Sequence, residues 1–460
     1  MRVYLIIPPS PSHRNIMRMI DCSHEAKANY LLQPNDFMLI TSHLKNTDEV
    51  IFIDGTANKL SESDFFKKIR SGGIPDLLFF ALSSVCWESD LGYYNKIIKI
   101  YPDVPRYVLG DVFFEKRFRE TILKICDGIV TQPFLLDIEE MVKNKEDKKS
   151  LKGICTVNEL EERHIRKQGV EVKNINFPKH EIFLSKKYRF PFAKHIYFST
   201  VTTLWGCPFS CSYCTDSKTT PFYREVTKIV EELEYIKKLQ VKELFFADKV
   251  FGFPLEKTFH LLDEMSKYFS FSWSCYFHPQ LYSPELLEKM KKAGCHTIII
   301  GIDSANLAGL KNYNRNVKRE KLEALIFHAN KLKISVCADF IIGLEHETKD
   351  DIFSTINYSL NLPLDFASFN IATPLPGSSI REKAIKEGKI SENQDGFDTL
   401  GNKNVLGNRN ISEKDLITLR KKAVFKFYFR ASHWIRRLSR TSSIEHLIIQ
   451  LNQMKGLLRK

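Results

Sequence analysis

Three cysteines stand close together near the middle of the chain. Cys207, Cys211 and Cys214 are spaced Cys-x3-Cys-x2-Cys within residues 205–214. Thiolates are the usual protein ligands of iron–sulfur clusters, and a four-iron cluster held by three cysteines keeps one iron open for chemistry. Structural zinc needs a closed set of four ligands, and no second cysteine pair lies nearby in the sequence. The spacing therefore predicts a 4Fe–4S cluster with one open iron.

The residues around these cysteines extend the pattern. The string Cys-Pro-Phe-Ser-Cys-Ser-Tyr-Cys at 207–214 is followed by Tyr223 and Arg224. This segment resembles the signature of the radical S-adenosylmethionine (SAM) enzymes, in the branch that carries an N-terminal cobalamin-binding-type domain. The resemblance implies that the reduced 4Fe–4S cluster cleaves bound SAM into methionine and a 5′-deoxyadenosyl radical. That radical would remove a hydrogen atom from an unactivated position of the substrate.

Length and composition limit the class of protein. A chain of 460 residues suggests two or three domains, and 43% hydrophobic with 27% charged residues is typical of a globular protein. No run of eighteen apolar residues is present, so no membrane span is expected. Ten cysteines without a recognisable signal peptide favour a reducing, cytoplasmic location. The cysteines outside the triplet are expected to be buried, reduced thiols: Cys22, Cys86, Cys126, Cys155, Cys275, Cys295 and Cys337.

Short apolar runs alternate with helical patterns over the first 135 residues. The strands are predicted at residues 3–7, 50–53, 76–82, 107–109 and 128–130, with helices between them at 91–101 and 114–124. This alternation predicts an α/β fold with a doubly wound, Rossmann-like parallel sheet, which binds ligands at the carboxyl ends of its strands. The region, taken as 1–135, resembles the cobalamin-binding-type domain at 5–9 and 107–110.

The same region departs from that domain where cobalamin would bind. No Asp-x-His-x-x-Gly string is present, and Gly110 is followed by Asp111 instead of a second glycine. Residues 131–134, Thr-Gln-Pro-Phe, stand where the family has a glycine-rich loop. Glycines allow the backbone to approach a large flat ligand closely. The sequence therefore leaves two alternatives open, a domain that binds cobalamin without a protein ligand to cobalt and a degenerate domain.

Strand–helix alternation resumes after a connector at 136–190. The second half is expected to form a partial, TIM-like (βα)6 barrel at 191–385, followed by a basic helical segment at 386–460. Its strands are predicted at residues 197–203, 243–247, 271–277, 297–302, 336–342 and 368–372. Ser283 and Gly294 are expected to begin and end one of its helices. The cysteine triplet follows the first strand, at the end of the barrel where reactive groups gather.

Several predicted strand ends carry groups suited to SAM. Residues 301–304 resemble the family's Gly-Ile-Glu-Ser, 340–348 its Phe-Ile-Ile-Gly-Leu-Pro-Gly-Glu-Thr with Glu-His in place of Pro-Gly, and 373–378 its Thr-Pro-x-Pro-Gly-Thr. The resemblance implies cofactor-binding roles for Tyr213, Asp248, Gly301, Asp303, Ser304, Gly343 and Thr373. The two aspartates could instead cap the following helices, and the second glycine could only serve a turn. No catalytic residue beyond the cluster ligands is assigned.

The C-terminal residues 411–460 are basic and helical in pattern. They hold twelve Lys and Arg against three Asp and Glu, most of the net charge of +13. Three alternatives are ranked: a helical cap on the barrel, contact with a membrane surface, and contact with nucleic acid. In the first, Phe425, Phe429 and Trp434 pack onto the barrel and the charges stay solvated.

The expected function is therefore that of a radical SAM enzyme, and cobalamin would make it a methyltransferase acting on an unactivated carbon. A tRNA methylthiotransferase-like enzyme is an alternative, although Cys22, Cys86 and Cys126 lack the context of a second cluster. A non-catalytic iron–sulfur protein is the other alternative. The expected partners are a small-molecule or lipid-like substrate and a reducing donor such as flavodoxin or ferredoxin. Peripheral membrane contact is a further candidate, and nucleic acid is not favoured.

Overall fold

The computed structural model describes residues 1–11, 15–16, 18, 30–143, 151–157, 170–172, 175–394, 396–401 and 405–458. The chain divides into two compact units. The first contains Met1–Ile165, Asn174–Phe190 and Gly456–Lys460, and the second contains Arg166–Lys173 and Pro191–Lys455. Cys22 and much of the predicted connector lie outside the described residues. The finer domain boundaries at 135 and 385 stay predictions.

The first unit contains a six-stranded sheet. In chain order its strands are β1 (Arg2–Ile7), β2 (Glu49–Asp54), β3 (Leu77–Ala81), β4 (Arg106–Leu109), β5 (Gly128–Val130) and β6 (Ile154–Cys155). The spatial order is β2-β1-β3-β4-β5-β6, and every neighbouring pair is parallel except β5 with β6. The helices are α1 (Asn35–Thr41), α2 (Glu62–Ser71), α3 (Trp87–Ile100), α4 (Lys116–Ile122) and α5 (Ile138–Lys143).

Alternation along β1 explains why this sheet is covered on both faces. Tyr4 and Ile6 belong to one hydrophobic core, whereas Val3 and Leu5 belong to the other. Successive side chains of a strand point to opposite faces, so a strand that is apolar at every position must be buried on both. The doubly wound fold predicted from the sequence is confirmed. The short antiparallel strand β6 was not predicted.

The second unit contains a parallel sheet of six strands and a small sheet of three. In chain order its strands are β7 (Val170–Val172), β8 (Phe198–Val201), β9 (Leu204–Trp205), β10 (Phe222–Arg224), β11 (Glu243–Phe251), β12 (Ser272–Phe277), β13 (Cys295–Asp303), β14 (Ser335–Ile342) and β15 (Phe366–Ile371). The large sheet has the order β15-β14-β13-β12-β11-β8, and the small one has the order β7-β10-β9. The sequential order of parallel strands is that of the predicted partial barrel.

Helices follow the barrel strands in turn. They are α6 (Val226–Lys238), α7 (Leu255–Tyr268), α8 (Pro284–Lys292), α9 (Leu307–Leu310), α10 (Arg319–Lys331), α11 (Lys349–Asn361) and α12 (Ser379–Lys386), followed by α13 (Glu413–Tyr428), α14 (Ala431–Ser439) and α15 (Ile444–Leu458). Ser283 accepts a hydrogen bond from the Leu286 amide at 3.2 Å, and Gly294 ends α8 with a φ of +99°. Both predictions for this helix are confirmed. In the described part of the chain, no helix has the length and apolar character needed to cross a membrane.

The C-terminal helices pack on the barrel, but not through the predicted aromatic residues. Phe425, Phe429 and Trp434 are 60%, 58% and 41% exposed, so the prediction that they pack onto the barrel is wrong. Two polar contacts set the rotation of α13. Arg420 donates to the Phe369 carbonyl at 3.0 Å, and Tyr428 donates to the carbonyl of Ala367 in β15 at 2.8 Å. With these side chains directed at the sheet, positions 425 and 429 face outward.

Candidate active site

The loop that carries the three cysteines, residues 206–214, is called here the cysteine loop. It begins directly after β9 with Gly206, whose φ of +81° is in the region that favours glycine. A Cβ at this position would lie 2.6 Å from the Thr220 carbonyl oxygen, so a side chain does not fit. The amide of Cys207 then donates to the Thr219 hydroxyl at 3.2 Å. The loop is therefore held tightly where its first cysteine begins.

The three loop cysteines lie near one another. Cys207 is buried, Cys211 and Cys214 are half-buried, and none of the three is in a disulfide. Burial raises the pKa of the Cys214 thiol well above its usual value, and the neighbouring Asp216, Cys207 and Cys211 add to the effect. Binding a metal replaces the proton of such a thiol.

The donor set fits a cluster better than a single ion. Among the described residues, no three His, Cys, Asp or Glu side chains gather closely enough to hold one metal ion. A four-iron cube takes each thiolate at a different iron, so it needs its ligands further apart than one ion does. Three thiols on one tightly held loop are the residues that a cluster with one open iron requires.

A buried polar cluster lies beside Cys211. The Tyr213 hydroxyl donates to Asp303 at 3.0 Å, and Arg315 Nε donates to the same carboxylate at 2.7 Å. Arg315 Nη2 also donates to the Gly301 carbonyl at 2.6 Å. Burial raises the pKa of the Cys211 thiol, an effect that nearby Arg315 opposes and Asp303 reinforces. The structure thus brings the sequence-predicted Tyr213, Gly301 and Asp303 together, and it adds Arg315, which the sequence did not reveal.

An aromatic stack holds the middle of the cysteine loop. The rings of Phe209 and His278 lie 3.8 Å apart at an angle of 18°, and His278 Nε2 is hydrogen-bonded to Arg315 Nη1. Burial and the charge of Arg315 lower the pKa of His278 to about 2, so the imidazole is neutral at any physiological pH. His278 follows β12, and its neutral ring suits a stacking contact rather than proton transfer.

Asp248 lies within β11 and bonds to the segment that leads into the cysteine loop. Its Oδ1 accepts hydrogen bonds from the amides of Thr203 at 2.7 Å and Leu204 at 3.0 Å, and its Oδ2 accepts from the Thr203 hydroxyl. Burial raises the pKa of Asp248 to about 7, against the opposing effect of these donors. The carboxylate therefore fixes the chain just before the cysteines.

The alternative that the two aspartates cap helices is wrong. Helix α7 begins seven residues after Asp248, at Leu255, and its N-cap position is occupied by Pro254. Helix α9 is capped by Asn306, whose side chain accepts a hydrogen bond from the Gly309 amide, and not by Asp303. Both aspartates instead bind groups that are distant in sequence.

Glu347 links two of the predicted SAM-binding positions. Its carboxylate accepts hydrogen bonds from the Ser304 hydroxyl at 2.9 Å and from the amides of Gly343 at 2.7 Å and Leu344 at 3.0 Å. The side chain is fully buried, and burial raises its pKa to about 7. Glu347 was not singled out from the sequence, although it belongs to the family-like string 340–348. It joins the end of β13 to the loop after β14.

Thr373 bonds within its own segment of the chain. Its hydroxyl donates to the Ile371 carbonyl at 2.8 Å. The loop after β15 nevertheless reaches the cysteine loop, because Thr215 donates to the Pro376 carbonyl at 3.2 Å and the Ile380 amide donates to the Ser212 carbonyl at 3.2 Å. The ends of β12, β13 and β15 thus surround the cysteine loop, as the barrel predicts.

The carboxyl edge of the first sheet does not show a fit for cobalamin. Arg18 and Asp90 form a buried ion pair at 2.8 Å, and Asp111 accepts a hydrogen bond from the Ser84 amide at 2.8 Å. Gly110 is required by the backbone, since a Cβ there would lie 1.8 Å from the Leu82 carbonyl oxygen. Within the described residues of this unit, no buried polar side-chain atom is left without a partner. No chemical step is therefore assigned to cobalamin.

Comparison with known proteins defines the class. Residues 202–358 match the sequence model of the Radical SAM superfamily, a range that starts just before the cysteine loop and extends through most of α11. This segment is a radical SAM domain, and the protein is a radical SAM enzyme.

Three particular proteins are similar to this chain. An uncharacterized methyltransferase of Pyrococcus horikoshii is 26% identical over 475 residues, which cover 100% of this chain and 98% of the relative. The bacteriochlorophyllide d C-12(1)-methyltransferase of Chlorobaculum tepidum is 28% identical over 191 residues, 39% of this chain and 41% of the relative. The structure of the cobalamin-dependent SAM radical enzyme OxsB with aqua-cobalamin bound is 14% identical, with a TM-score of 0.63 over 100% of this chain and 80% of that one. That likeness shows a shared fold.

Proposed function

We propose that Cys207, Cys211 and Cys214 hold a 4Fe–4S cluster and that SAM binds at its open iron. The observation that carries this proposal is the set of three thiols on one tightly held loop at the carboxyl end of the first barrel strand, inside the radical SAM match. When bound, the cluster and SAM supply a carbon-centred radical that removes a hydrogen atom from the substrate. The protein positions these groups and excludes water from them.

The predicted SAM-binding residues divide into two groups in this proposal. Tyr213, Gly301 and Asp303 are candidates for direct contact, because they lie together beside Cys211. A buried cation in the same cluster, Arg315, is suited to the carboxylate of SAM.

The remaining predicted residues are proposed to act through other groups. Asp248 holds the entry to the cysteine loop, and Ser304 and Gly343 are tied to Glu347. Thr373 stays a candidate for contact on the strength of its sequence segment alone. We assign Asp248, Ser304 and Gly343 to positioning, because each of them bonds to a segment of the site that it holds in place.

Methyl transfer to a carbon atom is the proposed outcome. The relative that spans the whole chain and the Chlorobaculum protein are both named methyltransferases, and OxsB binds cobalamin. These names favour a methyl transfer assisted by cobalamin. The polar side chains at the carboxyl edge of the first sheet are already paired with one another, so they do not support cobalamin binding. A small-molecule or lipid-like substrate is proposed, together with a flavodoxin or ferredoxin as electron donor and a cytoplasmic location. The proposed membrane contact rests on the C-terminal helices.

Anaerobic reconstitution tests the cluster. Purified protein is loaded with iron and sulfide, its iron, sulfide and cobalt are measured, and 5′-deoxyadenosine is quantified after addition of SAM and a reductant. Replacing the three loop cysteines with Ala should abolish both the cluster absorbance and SAM cleavage. The matched control is Cys275→Ala, a buried cysteine of β12 outside the loop, which should keep both. A triple variant that still binds a full four-iron cluster would refute the assignment.

The same measurements separate the alternatives. S-adenosylhomocysteine formed together with stoichiometric cobalt would support methyl transfer through cobalamin. Iron and sulfide for two clusters per chain would favour the tRNA methylthiotransferase-like enzyme. A stable cluster that never cleaves SAM under reducing conditions would favour the non-catalytic iron–sulfur protein.

A further inference from the structure

The C-terminal helices carry an exposed set of apolar side chains, called here the apolar face. It consists of Phe425, Phe429, Trp434, Ile435, Leu438 and Ile444. The aliphatic members are the most exposed, at 69% for Ile435 and 79% for Ile444. Isolated exposed apolar residues are normal, but six within twenty residues of consecutive helices mark an interaction surface. This concentration of exposed apolar side chains makes the face a candidate docking surface.

The segment that carries the apolar face contains charged residues of one sign only. Residues 416–444 contain eight Lys and Arg and no Asp or Glu. The nearest acids in sequence are engaged elsewhere, because Asp415 pairs with Lys349 at 2.9 Å and Glu445 accepts the Ile196 amide at 2.8 Å. The surface presented outward is thus both apolar and cationic.

The basic residues of the C-terminal helices form two groups, one packed against the barrel and one exposed. Arg430 donates to the Leu360 carbonyl, and Arg436 and Arg440 both donate to Asn330, so these side chains hold the helices on the barrel.

Three lysines of α13, by contrast, are exposed, and helical spacing places two of them beside the aromatic rings. Lys421 lies one turn before Phe425 and Lys426 lies one turn before Phe429, whereas the Lys422 ammonium lies over the Phe353 ring, 4.9 Å from its centroid. The rings of Phe425 and Phe429 stack against each other with centroids 4.5 Å apart. Ammonium groups therefore flank an outward-facing aromatic pair.

We propose that the apolar face docks on an anionic membrane surface. Exposed aromatic and aliphatic side chains beside lysines are the combination that enters the boundary between lipid headgroups and acyl chains. A second copy of the chain would oppose two cationic surfaces, which repel each other. A nucleic acid would match the charge, but aliphatic Ile435, Leu438 and Ile444 offer its bases no stacking partner. An anionic bilayer satisfies both the charge and the apolar area.

This docking does not depend on the proposed radical chemistry, because vesicle binding is measured without turnover. Cluster-loaded protein is sedimented with phosphatidylcholine vesicles with and without phosphatidylglycerol, at low and high salt. Binding is expected with the anionic vesicles at low salt, and salt should weaken it. The Lys421→Gln, Lys422→Gln, Lys426→Gln variant should bind less tightly by about fivefold for each lysine removed. The matched control is Lys67→Gln with Lys68→Gln, two exposed lysines of α2.

The apolar contribution is tested by a second pair of variants. Phe425→Ser with Phe429→Ser should weaken binding at both salt concentrations, whereas Ile74→Ser, at an exposed apolar position of the first unit, should not. Trp434 should give a blue-shifted fluorescence on anionic vesicles that Trp434→Phe abolishes. This readout tests the proposal on the otherwise unaltered protein, should the serine variants fold poorly.

Three results would overturn the proposal. The first is failure of the wild-type protein to bind anionic vesicles at low salt. The second is binding that neither the lysine nor the phenylalanine variant weakens. The third is concentration-dependent self-association that the phenylalanine variant removes while vesicle binding is absent, which would assign the apolar face to a second copy of the chain.

Discussion

Replacing Asp248 with Asn should make the protein less sensitive to pH without detaching the cysteine loop. The Asn side chain can still accept the two amides of Thr203 and Leu204, which both bind Oδ1. Its amide nitrogen can donate to the Thr203 hydroxyl, which only has to rotate. Asp248→Asn should therefore fold, take up the cluster and bind SAM as the wild-type protein does.

The sign of the pH effect follows from the raised pKa. Asp248 titrates at about 7 in the folded protein and near 3.8 when unfolded, so the folded state holds the proton more tightly. Stability then falls as pH rises between these two values, by about 1.4 kcal/mol per pH unit. From pH 5.5 to 7 the free energy of unfolding of the wild-type protein should fall by about 2 kcal/mol, whereas that of the Asn variant should not show this fall. Above pH 7 the difference between the two should level off.

Denaturation of both proteins across this pH range is the assay, with SAM affinity and iron content measured in parallel. Asp248→Ala is the contrasting variant, since it leaves two amides and a hydroxyl without their acceptor, at roughly 1–3 kcal/mol for each buried group. The reasoning fails if Asp248→Asn shows the wild-type dependence on pH. Loss of SAM affinity in the Asn variant, with the cluster retained, would show that the carboxylate contacts SAM directly.

Other positions give sharper local tests. Glu347→Gln should flatten stability in the same direction between about pH 4.5 and 7, because its pKa is also raised by burial; an unchanged profile would contradict this. Asp303→Asn should cost about 3–5 kcal/mol of unfolding free energy by leaving Arg315 without its buried partner, and a melting temperature like that of the wild type would argue against the pairing. Gly301→Ala places a Cβ 2.8 Å from Arg315 Nη2 and should lower SAM cleavage, whereas Gly92→Ala, with open space around it, should be neutral or slightly stabilising.

The fold could be predicted from the sequence because its strands are apolar runs between turn residues. Strands β5 and β12, for example, lie within a residue of the predicted 128–130 and 271–277. Strand β11 extends beyond the predicted 243–247 to Phe251. The prediction ended where polar residues begin, but Asp248 and Lys249 continue the strand at the active end of the barrel. The strands β6 and β9 have only two residues each, too few to show a periodic pattern, and they were not predicted.

The site was predictable only where it resembles a motif. The cysteine loop, Gly301 and Asp303 could be found from the sequence, since they lie at strand ends. Arg315 could not, because it lies outside the family-like strings and its pairing with Asp303 is identified only in the folded structure. The Phe209–His278 stack joins residues about seventy positions apart, which no local pattern reveals.

The bonds between α13 and β15 also bear on how the chain avoids aggregation. An incomplete barrel ends in two edge strands, β8 and β15, and an exposed edge offers backbone groups that can pair with another chain. The Tyr428 hydroxyl donates to the Ala367 carbonyl and accepts from the Ala367 amide, so that one side chain occupies the place of a neighbouring strand. At the other edge, Glu445 accepts from the Ile196 amide just before β8. A protein cut after residue 385 would lose both of these contacts. The edge strands β8 and β15 would then be exposed to pairing with strands of other copies.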